Sequence, residues 1–134
     1  MYKRFLFVAA LLGGLSVAAG AFAAHALKQI LSPDTLQVFE TAVRYQFYHV
    51  FALLAAGILY RYYPGKLLKW SGNLFIAGII LFCGSLYLLC VFKHLEMLQF
   101  YWVGAITPLG GLAFITGWLL MAVAVARSGQ DTIA

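Results

Sequence analysis

Charge is what this sequence has least of. Only 10% of its 134 residues are Asp, Glu, Lys or Arg, against 64% hydrophobic residues and a mean hydropathy of +0.93. Soluble domains carry about 25% charged residues, so a water-soluble globule is excluded. Once the apolar runs are set aside, almost no polar chain is left within it to build a separate catalytic or receptor domain. Cysteine is scarce as well. Cys83 and Cys90 lie seven apart on one predicted helix, their Cα atoms roughly 10 Å apart, too far to pair. No C-x2-C spacing is present, so both are expected to be small buried hydrophobes. Acidic residues number four against nine Lys and Arg, giving a net charge of +5 and a pI near 9.4. The basic residues form no continuous patch, so nucleic acid is not an expected partner. There is no Ser/Gly linker, low-complexity tract or internal repeat.

What is present is four long apolar runs, which predict an all-α membrane protein: a four-transmembrane-helix up-down bundle in one integral membrane domain, 1–134. The expected helices cover about 5–27, 33–60, 70–92 and 100–126. The first run, Phe5 to Leu27, carries no charge and exceeds the apolar core of a cleaved leader, so it is read as a spanning helix. Its Ala10, Gly14, Ala18 row and its Ser16, Gly20, Ala24 row have the small-xxx-small spacing that brings helix backbones together in lipid. Lys28 to Leu31 is expected to be a polar connection. Ser32-Pro33-Asp34 then reads as a helix start, with Ser as N-cap and Pro at the first helical position. The second helix is too long for the bilayer and should extend beyond it, amphipathic at its outer end. Aromatic and basic residues from Tyr60 to Lys66 mark its interface and the following turn. Pro108 should kink the fourth helix, and a polar tail covers 127–134.

With four spans, Lys3, Arg4, Arg61, Lys66, Lys69 and Arg127 fall on one side. That asymmetry predicts a bacterial cytoplasmic (inner) membrane protein with both termini cytoplasmic.

Polar residues inside a membrane mark the place where function is expected. Stepping each helix at about 1.5 Å per residue from its cytoplasmic boundary puts His49 roughly 16 Å in, Gln46 about 21 Å, Arg44 about 24 Å and Glu40 about 30 Å. His25 arrives level with Glu40, and Ser85, Tyr87 and Pro108 fall in the same outer-leaflet layer. Around the second helix, Glu40, Thr41, Arg44 and Tyr48 share one half, with Tyr45, Gln46 and His49 on its flank. This polar face is expected to point into the bundle towards His25, with Glu40 and Arg44 neutralising each other at i, i+4. The candidate binding residues are therefore His25, Glu40, Arg44, Tyr45, Gln46, His49, Ser85 and Tyr87.

Two histidines and a carboxylate are the residue types of a metal site, but no H-x3-H or E-x2-H pair exists and Arg44 would sit beside the ion. A hydrogen-bonded structural network accounts for them better, and neither metal nor other cofactor is expected. Ser16, Ser71 and Ser85 have no His-Asp partners at a readable spacing, so the chain is not expected to be an enzyme. Gly13-Gly14 and Gly110-Gly111 follow no strand and are packing points, not phosphate loops.

The segments Gly20 to Leu27, Phe39 to His49, Leu81 to Tyr87 and Thr107 to Gly111, with Gly117-Trp118, resemble the small bacterial membrane proteins grouped as domain of unknown function 423. They are similar also to the eukaryotic transmembrane protein 256. The family pattern has Gly where this chain has Ala23. The resemblance implies four transmembrane helices in the cytoplasmic membrane and no established activity. Its recurring residues fall on His25, Tyr45, Gln46, His49, Ser85, Tyr87 and Pro108.

Two functional readings follow. The first is an outer-leaflet polar pocket that binds a small or amphiphilic ligand, such as a lipid headgroup or solute. The second is a structural or assembly factor whose polar layer only locks the helices. Its partners would be membrane lipids and a second copy or another membrane protein, docked on the Gly/Ala-rich helix faces. A pore is disfavoured, since Phe51 to Leu59 offers no polar path.

Overall fold

A computed structural model describes residues 1–128. Four helices are long and apolar enough to cross a membrane: α1 (Lys3–Ile30), α2 (Pro33–Leu59), α3 (Lys66–His94) and α4 (Leu98–Arg127). Among the described residues there is no strand. Each helix satisfies its backbone internally, the condition for spanning lipid. The part of the expected polar tail beyond Ser128 lies outside the described residues.

The helices run up and down in turn. Tyr2 at the start of α1 donates its amide to the Gly57 carbonyl near the end of α2 at 2.8 Å. Cys90 reaches Thr35 across α2 and α3, and Ser71 reaches Gly117 across α3 and α4. The core runs along the bundle through Phe5, Ala9, Val50, Leu53, Leu68, Phe75, Cys83 and Phe114. Glycines let the helices approach. A Cβ on Gly110 would lie 2.3 Å from the Phe82 backbone nitrogen, and one on Gly72 would meet the Phe5 ring.

The helix ends differ from expectation for local reasons. α1 does not stop at Leu27. Its winding loosens to a π-helix over Ala23–Leu27 and continues through Lys28–Ile30, so the expected polar connection shrinks to Leu31 and Ser32. The break falls there because a residue before proline is driven out of the helical region, and Ser32 sits at φ −61°, ψ 152°. Its hydroxyl accepts from the Thr35 amide, the N-cap the sequence predicts. α3 begins at Lys66, four residues early, directly after Pro64-Gly65. A second π segment, Ile79–Cys83, interrupts it. At its C-terminus Glu96 adopts φ 55°, while Met97 donates to Phe92 O and Glu96 donates to Lys93 O. These are the two bonds of a Schellman motif, whose left-handed position glycine normally fills.

α4 opens as a 3-10 helix, Leu98–Ile106, and turns α-helical at Thr107. Pro108 thus stands in the first turn of the α-helical part, where its fixed φ suits the start of a helix. The distortion expected at Pro108 takes the form of this change of winding.

Candidate functional site

The polar residues of α2 divide into two sets. Gln46 and His49 are buried, each 5% exposed, on the stripe that also buries Ala42, Val50, Leu53 and Ala56. Glu40, Arg44 and Tyr48 face outward, as does His25 on α1. The expectation that Glu40 and Arg44 point inward to meet His25 is therefore corrected. The flank of the predicted polar half, not its centre, is the inside of the bundle.

Nor do Glu40 and Arg44 pair. The Arg44 guanidinium donates to the Thr41 hydroxyl at 3.2 Å, and no ion pair within 4 Å joins it to Glu40. Long side chains near a helix's outer end can reach the headgroup region, which removes the need to bury the charge. Glu40 and Arg44 instead line a shallow groove with Gly20, Ala23 and Val43, beside the π segment of α1.

Inside, the Gln46 side chain bridges two helices. Its amide NH2 donates to the Leu12 carbonyl of α1 at 3.2 Å, and its amide oxygen accepts from the Tyr87 hydroxyl of α3 at 3.0 Å. Ser16 donates to the same Leu12 carbonyl at 2.8 Å. His49 Nδ1 lies 2.7 Å from the Tyr45 carbonyl, and the Trp118 indole N–H of α4 donates to Nε2 at 3.3 Å. An acceptor at one nitrogen and a donor at the other assign a neutral imidazole protonated at Nδ1. The ring stacks on Phe114 with centroids 3.4 Å apart and planes 8° apart, leaving no room for a guest between them.

A second cluster ties α3 to α4. The Ser85 hydroxyl donates to the Phe82 carbonyl at 2.9 Å and takes the Thr107 proton at 2.7 Å. The acceptor belongs to the π segment, and Gly110 admits that segment against α4. Tyr45 is 39% exposed and packs its ring on Phe82 at 4.7 Å.

Of the eight candidate residues, then, Gln46, His49, Ser85 and Tyr87 enter hydrogen bonds inside the bundle, and Tyr45 contributes a carbonyl and half a ring. His25, Glu40 and Arg44 do not join them. The sequence reading missed Trp118, Thr107, Ser16 and Ser71 as members. A signal existed for each: an indole N–H or a hydroxyl within an apolar span must find an acceptor. Ser71 finds the Gly117 carbonyl at 2.7 Å. No buried side-chain nitrogen or oxygen among the described residues lacks a partner. Nor do three His, Cys, Asp or Glu side chains among them come together in a group able to hold a metal.

Residues 19–111 match the family described as Protein of unknown function (DUF423). The chain is similar over nearly its whole length to proteins named only as membrane proteins. It is 41% identical over 124 residues to the UPF0382 membrane protein SSP2132 of Staphylococcus saprophyticus, covering 90% of this chain and 95% of that one. To the UPF0382 membrane protein YwdK of Bacillus subtilis it is 40% identical over 126 residues, 93% and 98% of the two chains. To the UPF0382 inner membrane protein YgdD of Escherichia coli K12 it is 34% identical over 128 residues, 95% and 93%. No solved structure matches it.

Proposed function

This chain belongs to the DUF423 family of membrane proteins of unknown function, and on that footing we propose that it is a non-catalytic structural or assembly factor of the inner membrane. Its polar layer holds the four helices in one arrangement, and its outer faces meet other membrane components. The observation that carries this reading is that every buried polar side-chain atom among the described residues has a partner within the chain. A layer in which each buried polar atom already has a partner needs no ligand to satisfy it. The partner face is the Ala10, Gly14, Ala18 row of α1, which is exposed and where a Cβ on Gly14 would meet nothing within 4 Å. A second copy docks there by close backbone approach. Both termini face the cytoplasm in this proposal, on the strength of the basic residues gathered at that end.

The test is purification in lipid nanodiscs followed by native mass spectrometry. Gln46→Leu should lower the unfolding midpoint without releasing any small molecule, and Gly14→Ile should abolish the dimer while leaving the midpoint unchanged. A stoichiometric compound other than phospholipid, lost in Gln46→Leu, would overturn the reading.

One observation favours a second reading, an amphiphile bound in the outer leaflet. A cleft of 200 Å³ opens between α1, α2 and α3, lined by Phe22, Leu27, Phe39, Tyr87 and Val91, with His94 at its rim. It is smaller than the roughly 300–1,000 Å³ of a small-molecule pocket, so it suits one apolar chain with its headgroup outside. Val91→Trp fills the cleft. Loss of a co-purifying amphiphile in that variant, with the fold intact, is the outcome this second reading requires.

A further inference from the structure

The opposite end of the bundle carries a larger space that the polar layer does not touch. Between the turn joining α2 to α3 and the last turns of α4 lies a cavity of 440 Å³. That volume is within the roughly 300–1,000 Å³ of small-molecule sites. Lys66 lines it from the start of α3 and Arg127 from the end of α4. Leu67 and Ala124 supply apolar wall, and Tyr62 and Tyr63 complete the lining.

The charge of this lining is of one sign among the described residues. Among the described residues no carboxylate lines the cavity, and the acidic ones, Asp34, Glu40 and Glu96, all belong to the other end of the bundle. The neighbouring Lys69 is occupied elsewhere, its ammonium 5.6 Å from the Tyr2 ring and 5.5 Å from the Tyr60 ring. Lys66 and Arg127 thus face a common space with nothing among the described residues to neutralise them.

We propose that this cavity binds the phosphate group of an anionic phospholipid. An Arg and a Lys lining one cavity from two elements suit a phosphate, the first by paired N–H donors and the second as a point charge. The apolar wall argues for a lipid over a soluble phosphate, since the same site must also accept the glycerol and first methylenes. Tyrosines mark headgroup depth. The proposal rests on the membrane placement of the helices and is independent of the structural role proposed above.

The full chain is reconstituted in nanodiscs holding phosphatidylglycerol and phosphatidylcholine in equal amounts, and retained lipid is counted by native mass spectrometry. One phosphatidylglycerol per chain is expected, with a preference over phosphatidylcholine. The double variant Lys66→Gln/Arg127→Gln should reduce the retained fraction about tenfold or more. Ala124→Trp, which blocks the cavity without altering charge, should do the same, whereas Lys3→Gln/Arg4→Gln, which removes equal charge at the same end, should change it less than about twofold. Equal retention of the two lipids, or equal losses in the Lys66/Arg127 and Lys3/Arg4 variants, would sink the proposal. In detergent, a midpoint raised by inorganic phosphate with no phosphatidylglycerol preference would assign the cavity to a soluble anion and overturn the lipid.

Discussion

Gln46 uses both ends of its amide between helices, so Gln46→Leu removes two hydrogen bonds and leaves the Tyr87 hydroxyl without its acceptor. Interhelical hydrogen bonds within membranes contribute about 0.6 kcal/mol on average and rarely above about 1.7 kcal/mol, so a loss of ~1–2 kcal/mol is expected in reversible unfolding. His25→Ala and Arg44→Ala, whose side chains are exposed, should change stability by less than about 0.5 kcal/mol. A large loss at His25 would mean that it meets the network after all. Glycines divide in the same way. Gly110→Ala drives a methyl into the Phe82 backbone and should cost about 3 kcal/mol or fail to fold, while Gly14→Ala meets nothing within its own chain and should leave the stability of the single bundle unchanged. Polarity within an apolar run was enough to single out Gln46, His49, Ser85 and Tyr87. It could not separate them from Glu40 and Arg44, because a charge near a helix's outer end has a second way to stay hydrated.

The elements carry their own strain and their own tests. Glu96 holds the left-handed position of a Schellman motif that costs an L-residue roughly 1–2 kcal/mol. Glu96→Gly should therefore raise the unfolding midpoint, by about 1 kcal/mol of stability, and Glu96→Val should lower it. If both variants were neutral, the turn would not be formed as described. The nine-residue 3-10 stretch of α4 has poorer hydrogen-bond geometry than the α-helix after it. Hydrogen exchange in nanodiscs should be faster over Leu98–Ile106 than over the α-helical turns that follow Pro108, and equal protection would contradict the assignment. The Ser32 cap and the Pro108 distortion were readable beforehand because each depends on two or three adjacent residues. The π segments were not, since looser winding pays off only through what the displaced turn then touches, as Phe82 does with Ser85 and Gly110.

The assembled bundle buries both thiols, Cys83 at 0% and Cys90 at 3% exposure, with the latter donating to the Thr35 carbonyl. A membrane-permeant maleimide should label neither while the protein is folded and both on unfolding in dodecyl sulfate. Labelling in the folded state at the rate of a free thiol would mean that α3 packs with another face inward.

Span number was legible in the order of residues because bilayer thickness and backbone hydrogen bonding act on one segment at a time. Which face of each helix turns inward was not legible. Lipid tails are as apolar as a leucine core, so no hydrophobic preference distinguishes the two sides of a spanning helix. That choice is made between helices: Gly110 against the Phe82 backbone, Gln46 between the Leu12 carbonyl and Tyr87, His49 beneath the Trp118 indole. Each contact needs a partner roughly 30 to 70 residues away in the chain, and it exists only when four helices stand in one register.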